Sequence, residues 1–556
     1  MRTLAIFCAA LTVSSIAFSQ QQQVQMNQVQ VQQGGPAQSA KSKPLTKEEQ
    51  RRVRQLLEGA EAGTASLDSA SRIISYTELA RAYQLTDKKK AVELLESALS
   101  STRNLQLESA NERLNDQLKR QLMQRVVRDF SAVAPERLDA LMDEVPAETR
   151  ANAIELLIPY YGKTNQLGRA NELVMRVAQE GEMQYPSASA LMGFYGKDRS
   201  DEVRALFVSS LASYQSHDHT TTLRSGSDFP DMIAKFHDQL PNALAKQAID
   251  EVLAQARKAD EKNGGASISL ASGKGAVSFD SGYAFRLFQL MPTLRRVDPQ
   301  AAEKLLKEQQ DVNTLASKYP DGLDSLRSGD GQSGKMSMSV GLGGGGGGGG
   351  GPRGGPAMAS PLEMQRMAQI TEDAQKHPQD ALANAAALSP ELAGQAYLSI
   401  ARVTQKSEPS VARAALAKAS ALLDKAPLEQ QLIAAGNITD LYMKMGETEK
   451  AKDSLDQSLA VANRMYKKDT DADDPNTAPK AYWASTNGYR SIMSNAGKID
   501  SAWAMNLMKE VPDDGIRVFN QIAMANALLG TPGGGFQIVT ATKGGVSMTF
   551  MNNSGN

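Results

Sequence analysis

The chain has four histidines in 556 residues, and two of them flank an aspartate: His217-Asp218-His219, with His237 downstream. Two imidazoles and a carboxylate could hold zinc. Alternate histidines in a polar loop such as Gln215 to Thr222 are equally ordinary solvated residues, and the spacing puts His237 on a separate amphipathic helix. A second candidate is Asp469-Thr-Asp471-Ala-Asp473-Asp474, which sets carboxylates at positions one, three and five of a calcium loop. Position six is Asp474 where the sharp turn needs glycine. Position twelve is Lys480, a cation where a bidentate glutamate is required, and Pro475 and Pro479 suit an ordinary acidic loop. The metal candidates are therefore His217, His219, Asp469, Asp471 and Asp473. Gly329-Asp-Gly-Gln-Ser-Gly334-Lys335 matches most of a phosphate loop. It places Met336 where a hydroxyl should bind magnesium and lacks the flanking strand and helix. The strings HExxH, GxSxG and CxxC do not occur. Tyr482, Trp483, Tyr489 and Trp503 lie close in sequence around Asn487. They could line a sugar- or peptide-binding groove, or serve as core. The sequence thus predicts no catalytic residue and no cofactor, although a carboxylate pair drawn from distant turns leaves no local trace.

The elements that would position any such site begin after an export signal. Arg2 precedes a short apolar stretch, Leu4 to Phe18, and Ala17-Phe18-Ser19 offers small residues at the positions a signal peptidase reads. Residues 1–19 are expected to be a cleaved signal, with the new terminus at Gln20. The apolar run falls short of the roughly 20 residues that span a bilayer, so no membrane span remains after cleavage. Cys8, the sole cysteine, leaves with the signal and has no lipobox context. A thiol-free chain suits an oxidising envelope compartment, periplasmic or secreted. Basic and acidic residues balance at 61 against 62, which gives no electrostatic footprint for nucleic acid. Aromatics are 5%, and the abundance of Ala, Leu, Gln, Glu, Lys and Arg favours helix.

Composition divides the rest. Residues 20–45 open with a Gln-rich tract, Gln20 to Gln33, read as a solvated tether. Helical periodicity starts at Thr46, an N-cap with Glu48 and Glu49 in the first turn. A first helical block is expected over 46–327 and a second over 362–530. Between them lies 328–361, whose unbroken run Gly343 to Gly351 reads as a disordered linker, since glycine loses the most backbone entropy on ordering. Residues 264–282 and 536–551 (the latter inside a C-terminal tail, 531–556) alternate apolar residues around a Gly-rich turn. Each reads as a short hairpin or as disorder.

The clearest repeat is helical. Leu441-Tyr442-Met-Lys-Met-Gly446 leads into Ala451, Leu455, Ser458 and Leu459. Tyr442 would fill the groove between paired helices, and Gly446 permits a left-handed turn. Ala451 and Ser458 are small where helices cross at roughly 8–10 Å. Leu455 and Leu459 sit one turn apart on a buried stripe. Tyr161, Ala170, Val174 and Val177 keep this spacing, with Asn165 at the turn, and Val403, Ala412, Leu416 and Ala419 keep it with Ser407. The strings Leu141-Met-Asp-Glu-Val-Pro146 and Leu507-Met-Lys-Glu-Val-Pro512 echo each other. In each, a helix ends and proline opens the next.

This pattern resembles a divergent tetratricopeptide repeat, without most of the family's unit-closing prolines. The resemblance implies an all-α solenoid of antiparallel helix hairpins, because one pair cannot bury its apolar stripe alone. It also implies a non-catalytic scaffold or adaptor that holds a protein or peptide partner of the cell envelope. Two other readings accompany it: an enzyme on a helical scaffold acting on cell-wall glycan or polysaccharide, and a structural envelope component whose Gln and Gly tracts self-associate.

Overall fold

A computed structural model describes residues 45–106, 112–219, 229–263, 266–272, 275–327, 337–342, 361–470, 479–531, 536–542 and 545–551. The expected signal, the Gln-rich tract, Gly329–Lys335 and the run Gly343–Gly351 lie outside these residues. By contacts the chain forms two units, 1–50 and 51–556.

Thr46 opens the first helix as a capping box. Its hydroxyl accepts from the Glu49 N–H at 3.2 Å, and the Glu49 carboxylate accepts from the Thr46 N–H at 2.7 Å. Among the described residues there are twenty-four α-helices, this one included. The first fifteen are α1 (Lys47–Gly63), α2 (Ser69–Tyr83), α3 (Lys88–Arg103), α4 (Glu112–Val133), α5 (Pro135–Ala140), α6 (Ala147–Lys163), α7 (Leu167–Glu180), α8 (Tyr185–Tyr195), α9 (Ser200–Ser216), α10 (Phe229–Phe236), α11 (Asn242–Asn263), α12 (Gly282–Val297), α13 (Pro299–Glu308), α14 (Gln310–Lys318) and α15 (Leu323–Arg327). The rest are α16 (Pro361–Lys376), α17 (Pro378–Asn384), α18 (Pro390–Thr404), α19 (Pro409–Ala421), α20 (Leu428–Lys444), α21 (Thr448–Thr470), α22 (Ala484–Ile499), α23 (Ser501–Leu507) and α24 (Asp514–Leu529).

Helices pair with their chain neighbours, α2 with α3, α18 with α19, α20 with α21, and the first helix of each pair also packs on the first helix of the next. The chain of such contacts runs α16–α18–α20–α22–α24 and, from the other half, α2–α4–α6–α8–α10–α12–α14. The two runs are joined, because α24 packs on α2. Within 51–556 the helices therefore form one continuous stack whose order is a permutation of the chain order. The stack begins with α16, passes from α24 to α2, and ends with α14. At the join α1 lies against α24: a methyl added at Gly63 would meet Val518 Cγ2 at 2.6 Å.

Position in the stack explains burial. α2 is sandwiched by α24, α4 and α3, and it is buried on nearly every face, from Ala70 and Ser71 through Ile73, Ile74, Leu79 and Ala82. A helix buried on nearly every face belongs inside such an array, and its buried Ser71, Thr77 and Glu78 find polar partners there.

Two kinds of turn alternate. Within pairs, Gly446 and Asn165 adopt φ of +74° and +55°, the left-handed turn their positions call for. Between pairs a short 3₁₀ turn recurs: Thr64–Ser66, Met142–Glu144, Ala385–Ala387, Leu423–Lys425 and Met508–Glu510. Each is followed by one extended aliphatic residue (Leu67, Val145, Leu388, Ala426, Val511). Asp68, Pro146, Ser389 (with Pro390 after it) or Pro427 then caps the next helix, whereas after Pro512, expected to open α24, the cap is Asp513 and the helix starts at Asp514. Val145, Ala426 and Val511 each precede a proline, which pushes them out of the helical region and ends the turn there.

Two small sheets accompany the helices. β1 (Ala266–Ser272) and β2 (Gly275–Phe279) form a hairpin with Ile268 opposite Phe279. Its Phe279 ring packs against Phe285 and Phe288 of α12, centroids 5.6 and 5.2 Å apart. The tract expected to be a disordered linker needs one correction: Ser337–Leu342 is a strand, β3, antiparallel to β1 with Val340 opposite Ile268. Ser-Met-Ser-Val alternates with the period of a strand, a signal outweighed in the sequence by the glycines beside it. β4 (Phe536–Thr542) and β5 (Gly545–Met551) form the second hairpin. Among the described residues no helix is long and apolar enough to cross a membrane.

Candidate functional site

The repeat-packing residues lie in the core. Tyr442, Ala451, Leu455 and Leu459 are buried, as are Tyr161, Ala170 and Val174. Lys450 Nζ lies 5.7 Å from the Tyr442 ring centroid. Between α20 and α21 the Thr439 hydroxyl meets Ser454 Oγ at 3.0 Å, a buried contact that small side chains permit. Gly488 serves the same end between pairs, since a methyl there would strike Leu432 at 2.4 Å.

The histidines are occupied locally. His217 Nδ1 lies 2.8 Å from the Ser213 carbonyl, and His219 Nε2 3.1 Å from that of Tyr214. Both carbonyls belong to the last turn of α9, whose orphan acceptors an imidazole N–H can satisfy. His219 also stacks on the Tyr214 ring at 3.9 Å. His237 Nδ1 serves the Ala234 carbonyl of α10 in the same way at 2.8 Å. Asp469 accepts from the Ser485 N–H and hydroxyl at 3.1 and 2.6 Å. Burial raises the pKa of its carboxyl. Asp471 and Asp473 fall outside the described residues. Among the described residues no group of three or more His, Cys, Asp or Glu is placed to hold a metal ion.

The four aromatics do not share one surface. Tyr489 is fully buried, its hydroxyl donating to Asn463 Oδ1 at 2.5 Å, and Tyr482 is buried against the join. Trp483 is half-buried between Tyr466 and Lys480, and Trp503 is half-buried under Lys452. A shallow, open hollow of about 560 Å³ lies elsewhere, lined by Tyr76 of α2 and by Glu93, Glu96, Ser97, Ser100 and Ser101 of α3. Arg137 of α5 donates to Glu96 at 2.5 Å at its side.

Among the described residues the most developed polar constellation surrounds the α24–α2 join, and motif reading does not find it. Glu78, in the buried middle of α2, receives Arg125 of α4 at 2.6 Å and Arg490 of α22 at 2.7 Å. Arg125 also donates to Thr77 Oγ1 at 2.9 Å. Beside it Arg81 Nε donates to the buried Asp129 at 2.7 Å. Asp68 caps α2 by accepting from the Ser71 N–H at 2.8 Å, while its other oxygen accepts from the Lys480 N–H at 3.2 Å. Ser71 Oγ accepts from the Ala481 N–H at 3.0 Å. Lys480 Nζ reaches Asp513 at 2.7 Å, and Arg52 of α1 donates to Ser501. Burial alone would raise the Glu78 pKa, but the Arg490 and Arg125 guanidiniums outweigh it and hold the carboxyl below its ordinary value of 4.5. The sequence trace of this site is slight: a glutamate and an aspartate inside otherwise apolar faces, Thr77-Glu78-Leu79 and Arg128-Asp129-Phe130.

No protein-family model and no curated protein matches the chain. Among solved structures it is similar to Ton1535 from Thermococcus onnurineus NA1, at 13% identity over 79% of this chain and 98% of that one, with a TM-score of 0.18. It is also similar to a circular tandem repeat protein with novel repeat topology and enhanced subunit contact surfaces, at 10% identity over 86% and 91%, with a TM-score of 0.19. At such scores neither likeness carries a structural argument.

Proposed function

We propose that this chain is a non-catalytic scaffold or adaptor that binds a protein or peptide partner along its helix stack, in the manner of tetratricopeptide-like domains, within the cell envelope. The observation that supports this reading is the unbroken order of first helices from α16 through the α24–α2 join to α14. Stacked pairs of this kind expose an extended, repetitive surface. The hollow beside α3, with Glu93, Glu96 and three serines, offers carboxylates and hydroxyls suited to a basic or polar peptide. Export follows from the apolar leader, and N-terminal sequencing of the protein from the source cell should begin at Gln20.

The binding test uses the full chain in its own cell. A photo-crosslinking residue replaces Ser97 in the hollow, and another replaces the exposed Ser317 of α14 as control. The reading expects one recurrent polypeptide joined at Ser97 and absent at Ser317. Adducts equal at the two positions, or none at either, would overturn it. Hydrolysis of cell-wall glycan by the purified chain would favour the enzyme reading instead.

A further inference from the structure

The C-terminal hairpin is a two-stranded sheet, so among the described residues neither of its outer edges has a strand partner. β4 runs beside α22 and the Lys480–Tyr482 turn, whereas β5 pairs with β4 alone. β5 reads Gly545-Val-Ser-Met-Thr-Phe-Met551, with no charge and no proline. Those are the residues with which proteins blunt exposed edges, and a two-stranded sheet by itself is marginal in water.

The chain's other hairpin shows that an uncharged sheet edge accepts a further strand, there on the outer side of its first strand rather than its second. The two are alike in sequence, Lys274-Gly-Ala-Val-Ser-Phe279 against Lys543-Gly-Gly-Val-Ser-Met548. In the first, β1 carries a third strand, the uncharged β3. The second has no such strand among the described residues, but its own edge is self-complementary. Laid antiparallel on itself about Met548, β5 sets Val546 opposite Phe550 and Ser547 opposite Thr549. Apolar then meets apolar and hydroxyl meets hydroxyl. A one-residue slip pairs Val546 with Thr549 and Ser547 with Met548, breaking both faces.

We propose that β5 is a docking edge for β5 of a second copy of this chain, giving a four-stranded antiparallel sheet across a two-fold axis. This inference does not rest on the scaffold reading, and either can fail alone.

The test uses the full chain with Cys8→Ser, which removes the sole natural thiol, and adds Met548→Cys. Directly opposed residues of an antiparallel pair lie ~4.5–5.5 Å apart at Cα, inside the range a disulfide bridges. The control is Val539→Cys, opposite Met548 within the hairpin. In the proposed sheet its copy lies three strand spacings away, roughly 14 Å, beyond disulfide reach. Under mild oxidation at low micromolar concentration, Met548→Cys should give at least tenfold more covalent dimer than Val539→Cys. Light scattering of the parent chain should show a concentration-dependent dimer that Met548→Lys shifts to monomer, since like charges would oppose each other. Equal crosslinking at the two positions would overturn the proposal, as would a monomeric parent with no Met548→Cys dimer. A monomer whose β5 amides resist hydrogen exchange would also overturn it, because a segment of the same chain would then occupy the edge. The cysteine pair keeps the test valid if Met548→Lys unfolds the hairpin.

Discussion

Single residues carry the turns and crossings of this fold, and their costs separate by mechanism. Gly446 has φ +74° and open space around an added methyl, so Gly446→Ala should cost only the left-handed backbone penalty, about 1–2 kcal/mol. Leu455 is 1% exposed, and Leu455→Ala should cost about 2–5 kcal/mol through lost burial and a cavity. Urea unfolding of the two variants reads both values. An equal, small effect would mean that α21 does not pack as described. Glu78→Ala leaves Arg125 and Arg490 without their shared buried carboxylate and should cost about 3–5 kcal/mol. Because the folded pKa of Glu78 lies below 4.5, its contribution is complete above that pH. It is lost as pH falls through the folded value. Acid titration of stability in Glu78→Gln should lack this component; an unchanged acid profile would contradict the assignment. At this scale the sequence was readable where backbone geometry restricts residue type, as at Gly446 and Asn165. It was not readable where partners come from afar. His217 and His219 have the composition of a metal site, and only coordinates place them on the α9 carbonyls.

Elements were legible in the same uneven way. The spacing Tyr442, Gly446, Ala451, Leu455, Leu459 marks one pair, and capping marks helix starts. The 3₁₀ turn with a buried aliphatic and a proline or aspartate is visible in the paired strings ending at Pro146 and Pro512. Its further copies, at Leu388-Ser389-Pro390 and Leu67-Asp68, keep an aliphatic residue but not the rest of the string, so they surface only through shared conformation. β3 was hidden for a different reason: six residues of alternation lie beside a run of glycines, and composition averaged over that tract overrides a short periodic signal. Val511→Gly, at one such turn, should loosen the start of α24 and speed hydrogen exchange there while leaving α18 unchanged; equal changes in both helices would show that the turn acts on the whole stack instead.

At the scale of the molecule the order of stacking is the feature that local sequence does not encode. The pattern of each helix says which face is buried, but not that α24 will find α2, whose sequence lies more than four hundred residues away. Around that contact the halves are also tied by Glu78 to Arg490 of α22 and by Asp68 and Ser71 to the Lys480–Tyr482 turn, polar pairs too dispersed to form a motif. The contact makes the glycine-rich tract a covalent tie between the two ends of the stack rather than a spacer between neighbouring blocks.

Cutting that tie is the most direct test. A protease site placed within Gly343–Gly351 of the full chain allows cleavage after folding. If the α24–α2 join holds the halves, the two fragments should co-elute at micromolar concentration and unfold in one transition, and Glu78→Ala should weaken their association. Fragments that separate under native conditions, each with its own unfolding transition, would contradict a single continuous stack.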